Sequence, residues 1–300
     1  MRVLLTGATG FVGKAIAAHL LAQGHQVIGL HASPRQSHLV NGLEDVLLDI
    51  GSLPQVEALA EQVAPCDAVV HAAASLDMNL FAVSVPYANC AGVQNMLWLA
   101  RRWGSRFVFL SSLPVIGSPQ MLPITEKHPV SPQTAYHASK LFGEQLVHLA
   151  QAQGVRGVSL RLTSPVGPGM PQGRLLPVLL ARAARREPLS LSGAGTRKQN
   201  YIDVRDIAGA VELCLARDGA LGVFNIASAT CIANLALAQR CIERCQSISE
   251  IVLNVRDDPE EGLIWDVSIE KARRELGFEP RFDIDDAITA IMADMVGDRI

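Results

Sequence analysis

A tyrosine and a lysine one helical turn apart can share a proton-transfer task, and Tyr136-His137-Ala138-Ser139-Lys140 offers such a pair. The i, i+4 spacing puts Tyr136 and Lys140 on one helix face. An ammonium beside a phenol favours the phenolate, so Tyr136 is expected to exchange a proton near neutral pH. Upstream, Ser111-Ser112 closes a short apolar run, where a hydroxyl can hydrogen-bond a substrate carbonyl. A third feature opens the chain: Thr6-Gly7-Ala8-Thr9-Gly10-Phe11-Val12-Gly13 joins the first apolar run to the first helical stretch. Gly7 permits a tight turn, Gly10 lets the backbone approach a pyrophosphate, and Gly13 allows close helix–strand packing. The free N–H groups and dipole of the helix start favour an anion there. Taken singly, each signal has an ordinary reading as a turn or a helix-surface aromatic. Their order along the chain argues for one site.

The elements that must hold these groups follow from periodicity. Short apolar runs at Val3–Leu5, Gln26–Leu30, Val46–Leu48, Ala68–His71, Phe107–Leu110 and Gly157–Arg161 read as strands. Helical stretches alternate with them at Gly13–Ala22, Gln55–Gln62, Val93–Trp103 and within Pro132–Ala152. That alternation predicts βαβ units and a doubly wound parallel sheet, an α/β fold of Rossmann type. Runs such as Asp67–Ala72 are apolar on both faces, as a central parallel strand requires. Beyond Arg161 the pattern loosens. Ser164–Pro171 reads as a loop, Leu175–Arg186 as a helix, Tyr201–Asp203 as a strand and Val204–Leu215 as a helix. Val223–Ile226 and Ile251–Val255 read as strands, Asn234–Cys245 as a helix, and two short helices close the chain. The expected division is a dinucleotide-binding domain over 1–163, with 200–226 returning to it. A smaller, discontinuous substrate lobe is expected over 164–199 and 227–300.

Composition narrows the partners. A net charge of -3 gives no general attraction for nucleic acid or anionic lipid. No uninterrupted apolar stretch reaches the roughly 20 residues of a membrane helix, and the N-terminus reads as a buried strand, not a signal peptide. The six cysteines show no CxxC pair and no metal-ligand spacing, so free thiols, no metal and a reducing cytoplasm are expected. The partner expected is a small-molecule substrate.

With those residues in place, the sequence resembles the extended short-chain dehydrogenase/reductases, in their NAD-dependent epimerase/dehydratase branch. The resemblance runs through the glycine loop, Asp49-Ile50, His71-Ala72-Ala73-Ala74, Asn89 ahead of Gly92, and Ser111-Ser112 through Gly117. It continues through Tyr136 with Lys140, Arg161, Gly167-Pro168-Gly169, Tyr201–Asp206 and Ala272–Pro280. It implies that Ser112, not Ser111, is the catalytic serine alongside Tyr136 and Lys140. It implies that Thr9, Phe11 and Val12 join the loop glycines around the cofactor, that Asp49 and Ile50 flank the adenine, and that Ala72, Ala73 and Ala74 line the cleft. Asn89 belongs to the same cofactor set, and Lys140 also holds the nicotinamide ribose. Ser75, Ser164, Arg197 and Gln199 are the substrate-side candidates. A homodimer through the Tyr136–Ala152 and Val93–Trp103 helices is implied too, with Leu97, Trp98, Leu141, Leu146, Val147 and Ala150 offering apolar surface.

Departures from the family pattern sharpen the expectation. NAD-selective members carry an acidic residue at the end of the second strand; here His31 stands there, and His31–Arg35 contains no acid. Arg35 is suited to a phosphate, so the cofactor expected is NAD(P), with NADP slightly favoured. The acid pair of the 4,6-dehydratases is replaced by Leu113-Pro114, which counts against dehydration. Gln199 stands where an arginine often grips a nucleotide diphosphate, and Arg197 lies two residues earlier. The leading expectation is a sugar or sugar-nucleotide epimerase/oxidoreductase. An NADPH-dependent ketone or aldehyde reductase on a non-nucleotide substrate is the alternative, and a non-catalytic dinucleotide-responsive regulator is the third.

Overall fold

The structure, a computed structural model, describes residues 1–32 and 40–297. Its first half alternates β1 (Arg2–Thr6), α1 (Phe11–Ala22), β2 (Gln26–His31), β3 (Glu44–Leu47), α2 (Leu53–Gln62) and β4 (Ala68–His71). A π-helical turn at Pro86–Ala91 runs into α3 (Gly92–Trp103), followed by β5 (Arg106–Ser112), a 3-10 turn at Leu113–Ile116, α4 (Ala135–Gln151) and β6 (Arg156–Leu162). The second half carries β7 (Ser164–Val166), α5 (Leu175–Ala184), β8 (Leu189–Ser190), β9 (Lys198–Asp203), α6 (Val204–Ala216) and β10 (Gly222–Ile226). It ends with β11 (Cys231–Ala233), α7 (Asn234–Arg244), β12 (Ile251–Val252), α8 (Glu270–Leu276) and α9 (Ile284–Gly297).

Seven strands form one parallel sheet in the order β3-β2-β1-β4-β5-β6-β10. The central strands bury both faces, which is why they read as continuous apolar runs. Alternation then splits each strand between two cores. Val3, Leu5, Ala68, Val70, Val108 and Leu110 pack with α1 and α6. Leu4, Val69, Phe107 and Phe109 pack on the other face with α2 and α3. A separate core forms where α5, α7 and α9 meet, around Leu176, Leu180, Leu237 and Ile288. A three-stranded sheet, β11-β9-β7, and the β12-β8 pair complete the second half.

Several expectations change. Ser164–Val166, read as loop, is strand β7, paired in parallel with Tyr201–Asp203 of β9. Pro165 hides it from a sequence reading, because proline disfavours strands unless long-range pairing imposes one. The third strand begins two residues early, at Glu44, and the closing helix α9 is long, not short. Of the residues expected on an apolar dimer face, Leu97 and Val147 lie in the core, while Trp98, Leu141, Leu146 and Ala150 are half-buried. On α4 it is Phe142 and Leu149 that stand exposed, at 41% and 61%. No helix among the described residues is long and apolar enough to cross a membrane.

Candidate active site

The carboxyl ends of β1, β4 and β5 bring together the glycine loop, Ala72–Ala74 and Ser112. The strand order reverses between β1 and β4, the point at which open α/β sheets bind ligands. Gly7 has φ +69°, and a Cβ there would lie 2.8 Å from the backbone of Ala73. At Gly13 a Cβ would come within 2.0 Å of the Gly7 carbonyl oxygen. At both positions only glycine lets the loop pack this closely against its own backbone and the start of the Ala72–Ala74 segment. Gly10, at the N-cap of α1, and half-buried Thr9, Phe11 and Val12 lie along it. These residues fit the pyrophosphate of a dinucleotide, held by N–H groups at a helix N-terminus. Thr6 Oγ1 accepts from Ala73 N and lies 3.0 Å from His71 Nδ1, tying β4 to the loop. Burial, then the charge of Lys140, pushes the His71 imidazole down to about 3, so it is neutral at pH 7.

Asp49 and Ile50 follow β3. Asp49 accepts from Gly51 N and from the Tyr87 hydroxyl, and Asn95 donates to the Ile50 carbonyl. Tyr87 and Asn95 escaped the sequence reading because their partners lie some 40 residues away. Asn89 is buried, and its amide is spent within the protein. Its Oδ1 accepts from Ser75 N, and its Nδ2 donates to Ser75 O and Ser139 Oγ. Ser139 in turn donates to the Tyr136 carbonyl, so Asn89 braces the Ser75 segment against the helix of the candidate tyrosine.

The two serines of β5 separate cleanly. Ser111 is buried and donates to Glu144 Oε1 at 2.5 Å, and Glu144 takes both Nε and Nη2 of Arg161 in a buried bidentate pair. Ser112, by contrast, is half-buried at the start of the 3-10 turn and makes no side-chain cap hydrogen bond there. Glu144 continues the i, i+4 series from Tyr136 and Lys140, a signal that the sequence did carry. Beneath this pair, between α4, β6 and β10, lies a cavity of about 310 Å³ whose lining includes none of Ser112, Tyr136 and Lys140.

Thr134 caps α4, accepting from His137 N, and so sets the start of the helix that carries Tyr136. Lys140 is buried; its Nζ donates to the Leu110 carbonyl at 2.8 Å and lies 5.8 Å from the Tyr136 ring centre. The Tyr/Lys helix is thereby fastened to the strand that ends in Ser112. Burial pushes Lys140 down to about 8. It pushes the Tyr136 phenol up to about 12, with Arg174 partly opposing. The expected phenolate is thus corrected for the protein alone: burial outweighs the opposing charge of Arg174 and holds the phenol above its ordinary range.

At the end of β2, His31 Nε2 lies 3.0 Å from Asp45 Oδ2. Asp45 faces Gly29 across the β2–β3 pair, and a Cβ on Gly29 would meet Ala8 of the glycine loop. His31 and Asp45 therefore share the sheet face of that loop. The stretch after β2 lacks an acid in sequence, yet β3 supplies one in space. Arg35 lies outside the described residues. On the substrate side, Ser164 sits in β7 and Gln199 in β9, whereas Arg197 is held by Asp258 and Glu260. No metal-holding cluster of His, Cys, Asp or Glu occurs among the described residues.

The fold and this arrangement define a dinucleotide-dependent enzyme of the extended short-chain dehydrogenase/reductase type. The chain belongs to the NAD dependent epimerase/dehydratase family, whose model matches residues 3–227. It is 28% identical over 305 residues to a dTDP-glucose 4,6-dehydratase of Streptomyces niveus, covering 96% of this chain and 90% of that protein. It is 29% identical over 314 residues to a UDP-glucose 4-epimerase of Halalkalibacterium halodurans, covering 94% and 91%. In fold it is similar to a UDP-glucose 4-epimerase of Thermotoga maritima solved with UDP-glucose, with TM-score 0.92, 20% identity and full coverage of both chains. A Thermus thermophilus UDP-glucose 4-epimerase solved with NAD superposes at TM-score 0.84, with 24% identity and 99% of each chain covered.

Proposed function

We propose that this chain exchanges hydride between a nicotinamide dinucleotide and a secondary alcohol or ketone of a sugar-type substrate, as an epimerase or oxidoreductase. The observation that carries this reading is the Lys140–Leu110 hydrogen bond, which fastens the Tyr136 helix to the strand ending in Ser112, beside the glycine cradle. The bound nicotinamide supplies the hydride donor or acceptor. Tyr136 gives a proton to the substrate oxygen or takes one from it, and Ser112 hydrogen-bonds the same oxygen. Lys140 supplies positive charge near Tyr136 and would hold the nicotinamide ribose. Dehydration, named for one relative, is not carried over, because fully buried Leu113 and then Pro114 follow Ser112 where an acid is needed. Residues 164–199 and 227–300 serve as the substrate lobe. A small molecule is the partner, and the cytoplasm is the compartment.

The test is to denature the purified protein and identify what it releases, then titrate both dinucleotides. An epimerase returns hydride to the opposite face and keeps its cofactor; a reductase releases it. His31 in place of a carboxylate favours NADP(H), while the nearby Asp45 carboxylate limits the gain. The expected preference for NADP(H) is up to about tenfold, reversed by His31→Asp. Tighter NAD(H) binding by the wild type rejects the NADP preference, and failure to bind either dinucleotide rejects the enzyme reading.

A homodimer through α3 and α4 belongs to the same proposal. Exposed Phe142 and Leu149 lie on α4 near partly buried Leu146, and Trp98 lies on α3. Sedimentation is expected to give twice the 32.2 kDa chain mass, and a monomer at micromolar concentration rejects it.

A further inference from the structure

A dinucleotide whose pyrophosphate lies on the glycine loop after β1 has two directions in which to lay its halves. Ser112 ends β5, and Lys140 fastens the Tyr136 helix to that strand, so the nicotinamide half runs toward β4 and β5. The adenosine half then crosses β2 toward β3, on the other side of β1 in the sheet. Asp49 follows β3 and is half-buried there. The 6-amino group of adenine is a donor, and an ionised carboxylate only accepts.

The backbone of Asp49 is fully committed. Its N donates to Gln55 Oε1 at 3.0 Å, and its carbonyl accepts from Ser52 N at 3.0 Å. The carboxylate is held from two sides: Oδ1 accepts from Gly51 N and Oδ2 from the Tyr87 hydroxyl, each at 2.9 Å. A carboxylate has about four lone-pair sites, so capacity remains on both oxygens for a ligand donor. The Gly51 bond comes from two residues away along the chain. Tyr87 makes the hydrogen bond that reaches this carboxylate from another element. The aspartate χ2 torsion is broad and roughly two-fold, so a second bond fixes a plane that one bond leaves free to swing.

Tyr87 is itself held in place by packing. It sits in the π-helical turn Pro86–Ala91, a wide kind of turn that recurs at functional sites. Its ring lies against Gly51, where a Cβ would come within 2.5 Å of Tyr87 Cε1. Gly92, just after the turn, packs on Ile50, where a Cβ would meet Cδ1 at 2.9 Å. Asn95 donates to the Ile50 carbonyl at 2.8 Å. At the other side of the turn, Asn89 is bonded to Ser75 and to Ser139 of α4. The bond to Asp49 pushes the Tyr87 phenol up, so it stays a donor at neutral pH. We propose that Tyr87 is a positioning residue for adenine recognition, aiming the Asp49 carboxylate at the 6-amino group of the dinucleotide. This rests on the dinucleotide-dependent reading above, with Asp49 as the adenine-side acceptor.

The test equilibrates the full chain with an excess of NADH and reduced nicotinamide purine dinucleotide in equal amounts. The analogue lacks only the 6-amino group, and the two retained ligands are separated and quantified. Their ratio reads selectivity directly, whereas a merely structural loss weakens both ligands together and leaves it unchanged. The wild type is expected to retain NADH at least about tenfold over the analogue, the scale of one hydrogen bond to a charged acceptor. Asp49→Ala is expected to bring the ratio to about one. Tyr87→Phe keeps the ring against Gly51 and loses only the hydroxyl of a residue 49% exposed, so the thermal midpoint should hold. Its ratio is expected to fall by at least about threefold although Asp49 is intact. If Asp49→Ala abolishes selectivity and Tyr87→Phe keeps or raises it, the positioning role is overturned and the Asp49 reading stands. A wild-type ratio near one, or a ratio that survives Asp49→Ala, overturns the Asp49 reading and this inference with it. Retention of neither dinucleotide overturns the dinucleotide-dependent reading itself, and the inference falls with it.

Discussion

Replacing Tyr136 by phenylalanine is expected to lower turnover by at least roughly 100-fold while leaving dinucleotide affinity and the thermal midpoint nearly unchanged, the scale of a lost general acid–base group. That factor corresponds to about 2.7 kcal/mol of barrier. The structure makes this a clean experiment. Among the described residues the Tyr136 hydroxyl has no protein hydrogen-bond partner, and the residue is half-buried. Removing it breaks no bond that holds the fold. Burial holds the phenol up near 12, so Tyr136 stands ready to donate a proton to an oxygen that is gaining charge. In the opposite direction, loss of its proton needs positive charge close by; Arg174 acts on the phenol in that sense, and Lys140 Nζ lies 5.8 Å from its ring centre. Steady-state turnover in both directions, dinucleotide titration and thermal unfolding together check the assignment. A variant that keeps more than about a tenth of wild-type turnover removes Tyr136 from proton transfer.

The glycine loop, the strand-end serine and the Tyr/Lys pair were legible in the sequence because each is a local pattern. A turn, a strand end or an i, i+4 spacing needs no knowledge of distant partners. What the sequence hid is long-range. Asp45 meets His31 only because β3 pairs beside β2. Arg197 looked available to a substrate until a turn some 60 residues later closed on it. Strand β7 was invisible because Pro165 argues against it, and only pairing with β9 overrules that. The ionisation of Tyr136 failed for a related reason. Helical spacing places Lys140 on the same face, but it does not say how much water either group has lost. Desolvation is set by the whole packed sheet, and it decides the sign.

Lys140 shows the same desolvation as a measurable cost of function. Its folded value of about 8 lies below the ordinary 10.5, and burial is the cause. Below pH 8 both folded and unfolded chains carry the proton, so the full cost of burying the ammonium is present, on the order of 3 kcal/mol. Between pH 8 and 10.5 the folded protein releases that proton while the unfolded chain keeps it, so this group makes stability rise with pH. Above 10.5 both states are neutral and the cost is gone. Lys140→Met removes the charge and keeps an unbranched, apolar stem. It also removes the hydrogen bond to the Leu110 carbonyl, a loss of about 1 kcal/mol. The expected net at pH 7 is a stabilisation of roughly 2 kcal/mol, seen as a rise in thermal midpoint of several degrees. The gain over wild type should shrink across pH 8 to 10.5 and change sign at the upper end, where only the lost hydrogen bond remains. Turnover is expected to fall by at least about 100-fold at the same time, because the charge that destabilises the fold is the one that serves proton transfer. Thermal scans from pH 7 to 10.5, paired with turnover, check both halves. A variant less stable than wild type at pH 7 shows that the buried ammonium is not the strained group described here.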